Sequence, residues 1–90
     1  MKILRPAVAG TLESSDVQIR VFPVDSLEIT IDSTVGEQFG EAINDTTRNV
    51  LREHDVENGR IEINDHGALD CTIRARLTTV LQRAAVAEEA

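Results

Sequence analysis

Apolar and polar residues alternate with a period of two in three stretches of the chain. Val17, Ile19 and Val21 stand against Gln18 and Arg20; Leu27, Ile29 and Ile31 stand against Glu28, Thr30 and Asp32; Ile61 and Ile63 alternate within Arg60 to Asn64. That period predicts half-buried strands. Upstream, Lys2 to Ala9 is short and apolar-rich, and Pro6 confines any strand there to an edge or an irregular start, with Val8 and Leu12 as its inward residues. Pro23 ends the second strand, and Pro23 to Ser26 reads as a connection between two antiparallel neighbours. The period then changes. Val35, Phe39, Ala42, Ile43, Thr46, Val50 and Leu51 recur at helical spacing, which predicts a helix from about Thr34 to Glu53. Thr34 with Glu37 fits a capping box, and Ser33 is an equally competent cap. Gly36 and Gly40 each cost about 1 kcal/mol of helix propensity relative to alanine, and close approach of their face to the sheet or a partner is the use that would offset it.

Asn58-Gly59 makes a turn before the Ile61 strand, and Asp65-His66-Gly67 ends that strand. A second helix is expected from about Ala68 to Ala85, with Leu69, Ile73, Leu77, Val80, Leu81 and Ala84 on one apolar stripe and Cys71 opposite it. The order β-β-β-α-β-α predicts an α+β fold, a small and mainly antiparallel sheet with two helices packed on one face. The helix between the third and fourth strands allows those two to be parallel neighbours. One domain is expected over residues 1–86, with 87–90 as a fraying tail.

Ninety residues bury enough surface for one modest core and not for an elaborate enclosed active site. Nine Lys and Arg against sixteen Asp and Glu give a net charge of −7, the wrong sign for a protein that binds by neutralising phosphates. With two Phe and neither Trp nor Tyr, there is little surface for stacking bases or lining a deep pocket. A small RNA-binding domain is disfavoured on both counts, and by the lack of a GxxG loop. Cys71 is the single cysteine, so no internal disulfide forms, and a reducing cytoplasm is the compartment expected. His54 and His66 show no zinc spacing. No run approaches the roughly 20 apolar residues that span a bilayer.

The candidate chemistry lies in turns. Ala9-Gly10-Thr11-Leu12-Glu13-Ser14-Ser15-Asp16 is a polar turn with two adjacent hydroxyls between two carboxylates. Its serines lack the flanking glycines of a nucleophile elbow and have no neighbouring histidine in sequence, so a hydrolytic serine is disfavoured. An exposed hydroxyl on a turn is, however, what a modifying enzyme can take into its cleft without unfolding the substrate. Glu13 and Asp16 are expected to be solvated, as are His54 and His66 near helix ends. Cys71 reads as a packed or interface thiol, and Arg74, Arg76 and Arg83 as solvated or paired with nearby acids, with contact to a partner as the alternative. Asp25-Ser26-Leu27 is the tripeptide on which helical fatty-acid and peptide-synthetase carrier domains hold phosphopantetheine. There the serine opens a helix, whereas Ser26 precedes an alternating strand.

Pro6-Ala7-Val8-Ala9-Gly10-Thr11-Leu12-Glu13-Ser14-Ser15-Asp16, Gln38-Phe39-Gly40, and Gly67-Ala68-Leu69-Asp70-Cys71-Thr72-Ile73-Arg74-Ala75-Arg76-Leu77 together resemble the acyl carrier (gamma) subunits of citrate lyase over nearly the whole chain. The resemblance implies that Ser14 carries 2'-(5''-phosphoribosyl)-3'-dephospho-CoA through a phosphodiester installed by a dedicated transferase. It also implies no catalytic residues in the carrier itself. An alpha subunit would exchange acetyl for citrate on the arm's thiol, and a beta subunit would cleave the citryl thioester to oxaloacetate. The sequence departs from the familiar pattern at Ser15, where glycine often follows the modified serine. The competing reading, from the residues alone, is an interaction or regulatory module whose serine turn stays unmodified.

Overall fold

The structure, a computed structural model, describes residues 1–34 and 37–85, without the side chains of 37 and 38. Val35, Gly36, the Glu37 half of the capping box and residues 86–90, which include the tail expected at 87–90, lie outside the described residues. The elements are β1 (Ala7–Gly10), β2 (Val17–Phe22), β3 (Leu27–Ser33), α1 (Glu37–Glu53), β4 (Gly59–Asp65) and α2 (Asp70–Ala85). They form the α+β architecture expected from the sequence, but the sheet is mixed. Its order is β1-β2-β4-β3, antiparallel between β1 and β2 and between β2 and β4, parallel between β4 and β3.

β2 and β3 are therefore not neighbours, against the reading of Pro23 to Ser26 as a hairpin-like link. β4 lies between them. Ile61 and Ile63 face the core at 0% and 1% exposure, and both edges of β4 are paired, which suits the most apolar inward positions. β3, with only half-buried Ile29 and Ile31, takes the edge. The 23–26 link is instead tied to the turn before β4, where Asn58 Nδ2 donates to Val24 O at 3.0 Å and Gly59 N to Ser26 O at 3.0 Å.

Val17, Ile19 and Val21 of β2 are fully buried, as their alternation requires. In β1 the phase is opposite to expectation: Ala9 is buried and Val8 exposed, and Leu12 beyond the strand is exposed as well. α2 packs over β1 and β2, and small alanines in β1 let it approach. The helix supplies Ile73, Leu77, Val80, Leu81 and Ala84 to the core. Leu69 precedes the helix and stands 70% exposed, outside the stripe assigned to it. Cys71 is exposed, on the side expected.

α1 packs against β3 and against α2. Its buried face is Ile43, Thr47, Val50 and Leu51, rotated from the expected stripe, so that Phe39 and Ala42 are exposed and Thr46 half-buried. Thr47 holds a core position because its hydroxyl donates to Ile43 O at 2.7 Å, one turn back, which satisfies the buried group. Gly40 is not a close-approach glycine, since a Cβ there would meet nothing within 4 Å. At the far end of α2, Leu4 N and Arg5 N both donate to Ala84 O, which places Ile3 in the core at 2% exposure.

Candidate functional site

The Ser14 turn is built from the glycine that precedes it. Gly10 ends β1 at φ +85°, and a Cβ there would lie 1.8 Å from Val17 O. Only glycine lets the two strands close to this distance. Thr11 then donates both its N–H (3.1 Å) and its hydroxyl (2.6 Å) to Asp16 Oδ2, while Glu13 N donates to Thr11 Oγ1 at 3.2 Å. Asp16 N donates to Glu13 O at 3.2 Å, closing a four-residue turn with Ser14 and Ser15 at its tip. Ser15 has φ +66°, the left-handed region that favours glycine. The departure from the carrier pattern thus falls at the one tip residue whose backbone suits the familiar glycine.

Two further elements hold the turn. Ser15 N donates to His66 O at 2.7 Å and His66 N to Asp16 O at 2.9 Å, extending the β2–β4 pairing beyond Val17 and Asp65. From α2, the Arg76 guanidinium forks onto Asp16, Nε to Oδ1 at 3.2 Å and Nη2 to Oδ2 at 3.0 Å. Asp16 Oδ1 also accepts the Val17 N–H at 2.7 Å. The Asp16 side chain is 14% exposed, not solvated as expected. The Thr11 hydroxyl, the Val17 N–H and Arg76 together hold its carboxyl well below the usual carboxylate range. Asp16 is thus the internal clamp of the turn, fully engaged and kept ionised.

Ser14 is exposed at the tip, and its hydroxyl makes no hydrogen bond to the described residues. Ser26 is also exposed, but lies just before β3 with its hydroxyl donating to Glu28 at 3.3 Å. No helix opens there. Of the three arginines, Arg76 clamps Asp16, Arg74 pairs with Glu53 at 2.8 Å and Arg83 donates to Val8 O at 2.8 Å. His66 contributes its backbone to the site, and His54 lies at the other end of the molecule, where its carbonyl accepts from the N-terminal amine at 3.0 Å. Among the described residues no group of three or more His, Cys, Asp or Glu is arranged to hold a metal, and no helix is long and apolar enough to cross a membrane.

Beside the turn, past His66, the chain lines an open groove of about 420 Å³. Ile43 and Ile73 form its floor, Phe39 and Leu69 its exposed apolar walls, and Gly67 and Ala68 the side nearest the turn. Asp65 braces that side from within: buried at 2% exposure, it accepts the Ser33 hydroxyl at 2.9 Å and Ala68 N at 3.0 Å. Asp70 at the rim accepts the Thr46 hydroxyl. Sequence reasoning missed the groove and the Asp16 clamp. Each joins residues from distant segments, and only the glycine at position 10 hinted at a tightly closed turn.

Comparison with known proteins bears on this site. The family model described as "Malonate decarboxylase delta subunit (MdcD)", an acyl carrier protein (ACP) model, matches residues 4–84. A citrate lyase acyl carrier protein of Haemophilus influenzae (strain PittEE) is 54% identical over 84 residues, covering 93% of this chain and 88% of the relative. Another, of Serratia proteamaculans (strain 568), is 52% identical over 86 residues, covering 93% and 84%. Among solved structures, a chain of a Pseudomonas malonate decarboxylase hetero-tetramer in complex with malonate superposes with a TM-score of 0.77 at 18% identity, covering 93% of this chain and 92% of that one. At that identity the likeness is one of fold. With half of its residues shared across nearly its whole length, the chain belongs to the family of citrate lyase acyl carrier proteins.

Proposed function

We propose that the protein is the acyl carrier subunit of a citrate lyase, bearing 2'-(5''-phosphoribosyl)-3'-dephospho-CoA on Ser14 through a phosphodiester and catalysing no step itself. The observation that carries this reading is the unengaged Ser14 hydroxyl at the tip of a turn held by Gly10, Asp16 and His66, in a chain of this family. The site fits such a group: the hydroxyl faces solvent, and neither side chain of the Asp16–Arg76 pair is free to compete for it. When attached, the arm supplies a terminal thiol on which acetyl and citryl groups are activated as thioesters. The residues of the chain have a different task. Asp16, Thr11 and Arg76 keep the turn in one shape for the arm-transferring enzyme, and Gly10 keeps it close against β2. A tethered arm presented from a rigid base meets successive active sites at raised effective concentration. The partners are then the acyl-exchanging alpha subunit, the citryl-cleaving beta subunit and the transferase, in the cytoplasm.

Co-expression with the transferase tests the assignment. Intact mass should rise by one arm, and peptide mapping should locate it on Ser14. Ser14→Ala should lose the mass gain and all citrate cleavage by the assembled complex with its circular dichroism unchanged, whereas Ser15→Ala and Ser26→Ala remain modified. An arm on Ser26 would overturn the site, and an arm on no serine would favour an unmodified interaction module.

A further inference from the structure

We propose that the groove beside the turn is the seat of the adenine end of the arm, so that the arm is anchored near its root and free at its thiol; this rests on the Ser14 assignment. The groove, about 420 Å³, has the size of a small-molecule site. Its walls, Phe39 at 47% and Leu69 at 70% exposure, are among the most exposed large apolar side chains of the molecule. Large apolar groups left in water side by side around a concavity are a binding feature more than a packing one.

What fits between them follows from the tether and from charge. The Ser15 N–H bonds the carbonyl of His66, and Gly67, the next residue, lines the groove. A group attached at Ser14 therefore starts beside this concavity, at an effective concentration of the order of millimolar. A chain of net charge −7, with Asp70 at the groove rim, repels the phosphates of the arm. The adenine ring is the flat, uncharged portion near the attachment, and an aromatic face with aliphatic methyls opposite is a suitable stacking environment for a base. Its exocyclic amino group is a donor, and the Asp70 carboxylate, which accepts the Thr46 hydroxyl through Oδ1, has further acceptor capacity. Seating the base leaves the pantetheine portion beyond it to swing from a fixed point.

The test is NMR on the protein loaded by its transferase, with intact mass establishing first that one arm is present. Expected are nuclear Overhauser effects from adenine H2 and H8 to the Phe39 ring and Leu69 methyls, and amide shifts at Gly67 to Asp70 relative to the unloaded chain. Loaded Phe39→Ser and Leu69→Ser, both at exposed positions, should lose these contacts while keeping their circular dichroism. If either variant resists loading, the wild-type spectra alone decide. Shifts confined to Thr11 to Asp16 in a protein shown by mass to be loaded would overturn the seat and leave the Ser14 assignment standing. So would groove shifts that arise only on adding the alpha or beta subunit, which would make the groove a protein-docking site. A chain that takes no arm fails at the first step, and the Ser14 assignment with it.

Discussion

The residue that most determines the shape of the site is Asp16, and its effect on stability has a sign. Its folded-state pKa is depressed by the Thr11 hydroxyl, the Val17 N–H and Arg76, so the folded state favours the ionised form. The stabilisation is fully present above the unfolded value, about 4, and is lost as pH falls below that range towards the folded value. Acid titration followed by circular dichroism should show Asp16→Asn less stable than wild type at neutral pH, with the difference shrinking steadily below about pH 4. A constant difference would mean that the carboxylate's charge is not what closes the turn. Ser15, one residue away, is an L-residue in the left-handed region, a conformation that costs a non-glycine residue about 1 kcal/mol. Its retention here keeps a second hydroxyl at the tip.

At the scale of elements, α2 separates what periodicity can and cannot reveal. Leu77→Ala and Ile73→Ala remove fully or almost fully buried side chains and should each cost about 2–4 kcal/mol, whereas Cys71→Ser, on the exposed face, should cost under about 1 kcal/mol. Chemical unfolding curves measure all three, and a large loss at Cys71 would mean the helix is phased differently. The same helix shows how legible the fold was. The strong alternation of β2 and β4 and the Ile73 to Ala84 stripe were readable because each buries a regular run against one neighbour. Weak signals mislead: the pattern of β1 points the wrong way because its inward residues are alanines and its apolar Val8 lies on the open face. In α1 the buried face keeps Ile43, Val50 and Leu51 of the expected stripe but takes in Thr47, whose hydroxyl is satisfied one turn back, in place of Phe39, Ala42 and Thr46. The adjacency of β2 and β4 depends on pairings between residues 38 to 48 positions apart, and the Asp16 clamp on an arginine 60 positions away, which local patterns do not encode. Ser14 itself stands out only through the likeness of its surroundings to a family, since its local chemistry is that of any polar turn.

For the whole molecule, the core of Val17, Ile19, Val21, Ile61, Ile63, Leu77 and Leu81 closes without any group beyond the chain. The unmodified protein should accordingly unfold in one cooperative thermal transition, with coincident far-ultraviolet circular dichroism and calorimetric curves. A gradual loss with no calorimetric peak would show that the arm completes the fold. An acidic body of charge −7 would be steered toward a basic rim on a partner, at a rate that falls with salt. The place of β4 at the centre of the sheet has a consequence for how the protein is made. β4 is the last strand in the chain and the one that joins the β1–β2 pair to β3. On the ribosome, β1 and β2 can pair as soon as both are made, but β3 has no strand beside it until β4 emerges and threads between strands already made. Completion of the sheet is thereby deferred until residues 59–65 have been made, and Ile29 and Ile31 of β3 are the apolar side chains that wait for their neighbours.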